Sequence, residues 1–389
     1  METPLDRWDA FAIAAPGLAP LVAAELVALD IAPRDVSEAG VAFTATHAQL
    51  LAANLWLRVA SRLVVRLAEF EARDFATLEK QAQRVPWSRV MTRGALVKLR
   101  VTCRKSRLYH SDAVAERVAR GIERSVGDVT ITSGTRDDDD ADIATADAPQ
   151  LIIVRFDHDR CTISADSSGE LLHRRGWRLA VAKAPLRETL AAAMLAACDW
   201  DGALPLVDPF CGSGTIGIEA ALRARNVAPG LSRTFAVEGW PGSDHALGSD
   251  ARASARAAAK PATGVPIVMS DRDAGAVAAA HANAGRAGVL DDVTIVQRAL
   301  SDTDLARIGP TGLVLTNPPY GLRVSDAADL RGLYARLGDV VRAGGRGWRL
   351  AMLVADRRLA GQMRLPMETR LRTTNGGIPV SVELTKPAR

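Results

Sequence analysis

From Leu186 onward the sequence alternates short apolar runs with helix-patterned segments, and that alternation limits what the chain can fold into more than any other feature. The helical stretch LRETLAAAMLAAC leads to the strand-like LPLVD, a glycine loop, the helical TIGIEAALRA, the strand PIVMSD and the helix AGAVAAAHANAGRAG. The strands VTIVQRAL and GLVLTN, the helix ADLRGLYARLGDVVRAG and the strand WRLAMLVA follow. Short hydrophobic strands separated by helices predict an α/β domain with a doubly wound, mainly parallel sheet. Ligands of such sheets sit beyond the carboxyl ends of the strands, where both the glycine loop and Asn317 fall.

The first half reads differently. LAPLVAAELVAL places Leu18, Leu21, Val22, Leu26 and Leu29 on one helical face, and a second helix is expected over HAQLLAANLWLRVASRLV, residues 47–64. Ala95–Cys103 and Gln150–Asp166 read as strands from their β-branched alternation, with the helix SDAVAERVARGIERSV between them. Six aspartates crowd residues 137–147, a like-charged block that reads as a solvated boundary loop away from any nucleic acid.

Composition narrows the class. The 389 residues suit two or three domains, and 48% hydrophobic against 24% charged residues is a globular balance with material for a sizeable core. A net charge of +4 permits a nucleic-acid partner without requiring one. Cys103, Cys161, Cys198 and Cys211 are scattered with no C-x-x-C, and the six histidines form no H-E-x-x-H, so neither a metal centre nor a disulfide framework is expected. METPLDRWDA lacks a basic-then-apolar leader, and the apolar stretch Ala12–Leu29 is interrupted by Pro16, Gly17, Pro20 and Glu25. A cytoplasmic protein without a membrane partner is the expectation.

Two loops carry the chemistry. In LVDPFCGSGTIGIEAAL, Gly212, Gly214 and Gly217 form a G-x-G-x-x-G between a strand and a helix, a spacing that lets backbone approach a ligand closely. A dinucleotide is one candidate ligand. S-adenosylmethionine is favoured because Asp208 precedes the loop, where an acid suits a cationic amine and repels a pyrophosphate. The acid closing the second strand is Asp271, placed to meet ribose hydroxyls, at a separation from the loop far beyond the ~20 residues of a dinucleotide site. The excess implies an inserted segment, Asn226 to Thr263, and within it Glu238 is the rival for the ribose. The second loop is LVLTNPPYG. Two prolines fix two φ angles and remove two donors, so an apolar strand ends there in a stiff, carbonyl-rich turn, which is either simple punctuation or a built acceptor.

DPFCGSGTIGIEAA together with TNPPYG closely resembles the class I, amino-directed RNA methyltransferases that carry an N-terminal THUMP domain. NLWLRVASRLVVRLAEF, LHRRGWRLAVAKAPLRETLAAAML, NVAPGLSRTFAVEGWP and SDRDAGAVAAAHANAGRAGV match in the family's order, across residues 11 to 321. The resemblance implies a ferredoxin-like module (1–70), a THUMP RNA-binding domain (71–166) and a Rossmann-like methyltransferase domain (167–389). It implies S-adenosylmethionine as cofactor, held by Asp208, Phe210, Gly212, Ser213, Gly214, Thr215, Asp271 and Asn317, and methylation of a guanine N2 amine in 23S rRNA or, in close relatives, tRNA. DNA adenine-N6 and protein glutamine methyltransferases use the same Asn-Pro-Pro-Tyr loop, and a non-catalytic RNA-binding protein would keep the fold alone. The family's acid after the third strand is replaced by Ala299, with Asp302 the nearest substitute.

An exocyclic amine is a poor nucleophile because its lone pair is delocalised into the ring. The Asn317 side-chain oxygen and the Pro318 carbonyl would accept its two hydrogens and aim the lone pair at the methyl group, while Tyr320 would stack on a flipped base or, on the alternative reading, fill the core. Arg100, Arg104 and Lys105, with Lys98 and Arg107, and Arg174, Arg175 and Arg178, with Lys183 and Arg187, are two basic clusters that suit phosphate contacts or a solvated charged face.

Overall fold

In the computed structural model, residues 7–133, 148–179, 186–320 and 327–386 are described. The aspartate run at 137–147, Lys183 and Gly321 lie outside the described residues. The chain divides into two compact units, one made of residues 1–13, 23–172 and 233–253 and the other of 14–22, 173–232 and 254–389.

Buried and half-buried residues alternate along Trp8–Ile13 (β1), the mark of a strand with one face on a core. There follow Ala19–Val27 (α1), Pro33–Ser37 (β2), Gly40–Ala45 (β3), His47–Trp56 (α2), Arg62–Glu71 (β4), Phe75–Gln83 (α3), Leu96–Arg104 (β5), Ser111–Val126 (α4), Thr130–Ser133 (β6), Gln150–Asp157 (β7) and Arg160–Asp166 (β8). All eight strands share one sheet in the order β2-β3-β1-β4-β8-β7-β5-β6. Glu71, the last residue of β4, pairs with Arg160 of β8, so the sheet runs without a break past residue 70.

The helix expected over residues 47–64 ends at Trp56, after 10 residues. A capping box starts α2, Thr46 Oγ1 accepting from the Gln49 N–H at 3.2 Å and Gln49 Oε1 from the Thr46 N–H at 3.0 Å. It stops at Trp56 because Leu63, Val64 and Val65 are claimed by pairing with Ala12, Phe11 and Ala10 of β1, and tertiary pairing overrides the local helical pattern. The segment Arg233–Ala253 joins this unit: the Val237 N–H donates to the Ser167 carbonyl at 3.1 Å, and Trp240 Nε1 donates to Gln150 Oε1 at 2.7 Å.

In the second unit come Glu188–Ala197 (α5), Leu206–Asp208 (β9) and Thr215–Ala224 (α6). His245–Ala257 (α7) arises from the insertion and crosses between the units' sequence ranges. Ile267–Asp271 (β10), Ala274–Arg286 (α8), Thr294–Gln297 (β11), Gly312–Thr316 (β12), Ala327–Ala343 (α9), Trp348–Val354 (β13), Arg357–Gly361 (α10), Met367–Asn375 (β14) and Ile378–Thr385 (β15) complete it. The sheet order is β11-β10-β9-β12-β13-β15-β14, parallel from β11 to β13 and antiparallel at β15 and β14. Every residue of β12 is buried, as a central parallel strand covered on both faces requires. The direction of strand succession reverses between β9 and β12, so the crevice for a ligand opens where Asp208 and Thr316 end their strands.

Gly217, the last glycine of the loop motif, sits inside α6 and lets that helix lie against β10: a Cβ there would overlap the Met269 sulfur. Met269 is itself fully buried. Among the described residues no helix is long and apolar enough to cross a membrane. Gly217→Ala is expected to destabilise the protein by roughly 1–3 kcal/mol, overpacking outweighing the ~1 kcal/mol gain in helix propensity. A rise in the urea midpoint for this variant would show that α6 does not depend on that close approach.

Candidate active site

β9 delivers Asp208 to the edge of the crevice, 1% exposed. Its Oδ1 accepts from the Thr316 hydroxyl at 2.6 Å and from the Phe210 N–H at 3.2 Å, so the end of β9 is tied directly to the end of β12. Gly212 has φ +52 and nothing within 4 Å of where a Cβ would stand, which leaves open space beside the loop. Gly214 has φ +87 at the N-cap of α6, a left-handed conformation that glycine adopts without strain. The Ser213 carbonyl accepts from Asn283 Nδ2 at 3.0 Å, and Asn283 is fully buried on α8. Phe210 packs on the core around Val207, Val314 and Tyr334.

Asp271 closes β10 beside the loop. Its Oδ2 accepts from the Gly212 N–H and its Oδ1 from the Asp273 N–H, each at 3.0 Å. Glu238 is engaged elsewhere: Arg252 donates to both its oxygens at 2.6 and 2.8 Å, and the Phe235 N–H donates to it at 2.7 Å. Glu238 belongs with the first unit, whereas Asp271 shares the second with the glycine loop. Asp302 is exposed in a single turn of 3₁₀ helix that Ala299 caps.

The chain turns at the end of β12 through Asn317, Pro318, Pro319 and Tyr320. The Asn317 carboxamide oxygen is buried and finds no hydrogen-bond partner among the described residues, a costly state for a polar atom. Pro318 is buried and Pro319 exposed. The Tyr334 hydroxyl on α9 donates to the Pro319 carbonyl at 3.3 Å. Tyr320 is half-buried rather than a core aromatic, and its phenol oxygen accepts from Asn375 Nδ2 at 2.7 Å.

The two basic clusters divide between buried and exposed side chains. Arg100 is buried in β5. Arg175 is 3% exposed and faces the buried Glu219 at 3.4 Å. Arg178 pairs with Glu188 at 2.9 Å and donates to Thr215 Oγ1 and the Leu186 carbonyl, both at 2.6 Å. Arg175 and Arg178 are drawn inward by Glu219 and Glu188, a pairing that local charge density does not reveal, and Arg178 holds the first turn of α6 in place. Burial pushes the Glu188 carboxyl up to about 7 against the pull of Arg178. Arg104 and Lys105 are exposed, Arg174 is half-buried, and Trp177 is packed inside. Among the described residues no group of three or more His, Cys, Asp or Glu is placed to hold a metal ion. Sequence reasoning missed Thr316, Asn283, Tyr334 and Asn375, each of which serves the two loops by contacts across the fold. The only available signal was a polar residue within an apolar strand, as in LVLTN.

The strand order, the glycine loop and the turn after β12 define a methyltransferase domain. A family described as RMKL-like, methyltransferase domain, matches residues 175–381, and the RlmL ferredoxin-like domain matches residues 9–64. The chain belongs to the RMKL-like methyltransferase family. It is 31% identical to a Synechocystis protein provisionally named an RNA methyltransferase, over 96% of this chain and 95% of that one. It is 34% identical to a ribosomal RNA large subunit methyltransferase K/L of Syntrophotalea carbinolica, over 95% of this chain and 52% of that one. The chain therefore spans about half the length of the K/L relatives it matches. A solved structure provisionally described as a methyltransferase complexed with SAH superposes with TM-score 0.87 at 27% identity, covering 100% of both chains. One from Listeria monocytogenes, described as a predicted N6-adenine-specific DNA methylase, gives 0.84 at 29% identity, covering 99% of this chain and 97% of that one.

Burial pushes the Asp208 carboxyl from 3.8 up to about 7, against the Thr316 and Phe210 hydrogen bonds that lower it. Between those values the folded state holds a proton that the unfolded state has lost, so the ionised carboxylate counts against folding above about pH 7, and this cost disappears as pH falls toward 4. Asp208→Asn in the cofactor-free protein is expected to gain stability relative to wild type at about pH 8, with the difference shrinking steadily down to about pH 5. Urea unfolding at stepped pH measures it, and a difference independent of pH would mean that Asp208 does not titrate in this range.

Proposed function

We propose that this protein is an S-adenosylmethionine-dependent RNA methyltransferase that modifies the exocyclic N2 amine of a guanosine, with 23S rRNA as substrate. The observation that carries the reading is the buried, unpartnered oxygen of Asn317 at the end of β12, beside the strand that delivers the glycine loop. A buried acceptor to which no described residue donates is suited to a ligand that brings the donor. The names of the K/L relatives support rRNA as the substrate class, and the SAH-bound neighbour supports the cofactor. In the domain organisation we propose, residues 1–70 and 71–166 form the RNA-binding region and 167–389 the catalytic domain, with Asn226 to Thr263 as an inserted segment of which Arg233–Ala253 joins the first compact unit.

S-adenosylmethionine, when bound, supplies an electrophilic methyl group. The open space at Gly212 admits it, Asp271 offers carboxylate oxygens to its ribose, and Asp208 and Phe210 shape the strand end beneath it. Asn317 Oδ1 and the Pro318 carbonyl accept the two amine hydrogens, drawing the nitrogen toward tetrahedral geometry. Tyr320 backs the flipped base. The nitrogen–methyl bond forms as the sulfur–methyl bond breaks, leaving S-adenosylhomocysteine, and the amine, acidic once methylated, loses its proton to water. Exposed Arg104 and Lys105 contribute phosphate contacts.

Asp271→Ala is expected to weaken S-adenosylmethionine binding by roughly 1–3 kcal/mol in calorimetry, with Glu238→Ala near wild type. The opposite ranking would move the ribose contact into the inserted segment.

Asn317→Ala is expected to slow single-turnover methyl transfer on the order of 10²-fold or more while cofactor affinity stays near normal. Labelled cofactor with unmodified 23S rRNA, tRNA and DNA, followed by nucleoside analysis, tests both base and substrate. Label appearing as N6-methyladenine in DNA would favour the activity in the Listeria neighbour's description. A wild-type rate in Asn317→Ala would reduce the Asn-Pro-Pro-Tyr turn to strand punctuation.

A further inference from the structure

The hairpin of β14 and β15 closes through Gly376 and Gly377, with φ +56 and +81, and Asn375 pairs with Ile378 on either side of them. Two consecutive left-handed residues make the tight turn whose twist matches the flanking strands, and glycines adopt it without strain. Asn375 is thereby fixed at the last rung of the ladder. From there its Nδ2 donates to the Tyr320 phenol oxygen at 2.7 Å, across 55 positions of sequence. One residue earlier in the loop, the buried Tyr334 donates to the Pro319 carbonyl at 3.3 Å. The end of the loop is therefore gripped twice, on its backbone by α9 and at the tip of its aromatic ring by the hairpin.

A ring needed only as an apolar face would not require a hydroxyl. The Tyr320 ring turns about two side-chain torsions, and the prolines before it stiffen the backbone without stopping that rotation. We propose that Asn375 is a positioning residue that acts through the Tyr320 hydroxyl, fixing the ring plane against which the target base lies. The inference rests on the reading of Asn317–Tyr320 as the acceptor loop and deepens it. The hairpin tip becomes part of substrate placement, and keeping the ring without its hydroxyl is not enough. A base lying against a swinging ring presents its amine to Asn317 and Pro318 in the wrong orientation, so the loss falls on the transfer step rather than on cofactor binding.

The test compares Asn375→Ala, Tyr320→Phe and the double variant in single-turnover transfer at saturating S-adenosylmethionine, using unmodified 23S rRNA or whichever nucleic acid the wild-type protein methylates. Each single change is expected to slow transfer on the order of 10-fold, the effect of one hydrogen bond of ordinary net strength, with the double variant no slower than either. Asn375→Asp, which can still accept from the phenol, is expected to keep most of the rate, and calorimetry should find cofactor affinity unchanged in all four. A readout independent of activity comes from the small number of tyrosines. The chain has 3, so a protein labelled with 3-fluorotyrosine gives three fluorine resonances, and the one lost in Tyr320→Phe is Tyr320. That resonance is expected to shift and broaden in Asn375→Ala.

Multiplying effects in the double variant, a wild-type rate in Asn375→Ala, or an unmoved Tyr320 resonance would each overturn the proposal. A slow Asn317→Ala beside a normal Asn375→Ala would remove this inference alone, whereas a normal Asn317→Ala would remove the acceptor-loop reading beneath it.

Discussion

The hydrogen bond between Thr316 and Asp208 is the contact on which the candidate site depends. It is 2.6 Å long, buried, and joins residues 108 positions apart at the ends of two adjacent strands. One strand carries the glycine loop and the other carries Asn317. A hydrogen bond to an ionised carboxylate is worth about 1.5–3 kcal/mol, more than its neutral counterpart. Its larger consequence is geometric, since the acceptor oxygen and the cofactor loop keep their relative placement only while these two strand ends stay level. The same burial makes the Asp208 carboxyl hard to ionise, so the protein carries a charge at its crevice at some cost to stability.

The two loops are built on opposite principles. The one after β9 is permissive: Gly212 and Gly214 take positive φ, and Gly212 leaves space beside the backbone. The loop after β12 is stiff, because its prolines remove torsional freedom before any neighbour touches it. Around both stands a ring of supports. Asn283 holds the Ser213 carbonyl, Arg178 holds Thr215, Tyr334 holds Pro319 and Asn375 holds Tyr320. The supporting side chains come from α8, from the segment before α5, from α9 and from the hairpin, so the whole sheet domain contributes to two short turns.

Much of this was legible in the sequence. The helices Ser111–Val126 and Thr215–Ala224 fall where their apolar spacing put them, because long periodic segments with clear stop signals have few competing conformations. The succession of strands from Leu206 to Val354 was likewise written in short β-branched runs. What failed shares one cause. Residues 57–64 carry a helical pattern yet leave the helix, the last three of them for a strand, because pairing with β1 outweighs a local preference of a few tenths of a kcal/mol per residue. The arginine-rich stretch around Arg175 and Arg178 looks like a surface until Glu219 and Glu188 come to meet it.

The sequence by itself determined the repertoire: parallel-sheet strands, a glycine loop behind Asp208, and a rigid turn that ends β12 in Asn317. These follow from covalent limits on backbone torsion and from periodicity, which act within a few residues. Only the tertiary structure decided that Asp271 rather than Glu238 lies beside the loop, that three of the arginines turn inward, and that the carboxamide oxygen of Asn317 is buried with no donor among the described residues. Those outcomes depend on which strands become neighbours. Strand order is set by the burial of the whole apolar surface at once, and no local stretch of sequence encodes it.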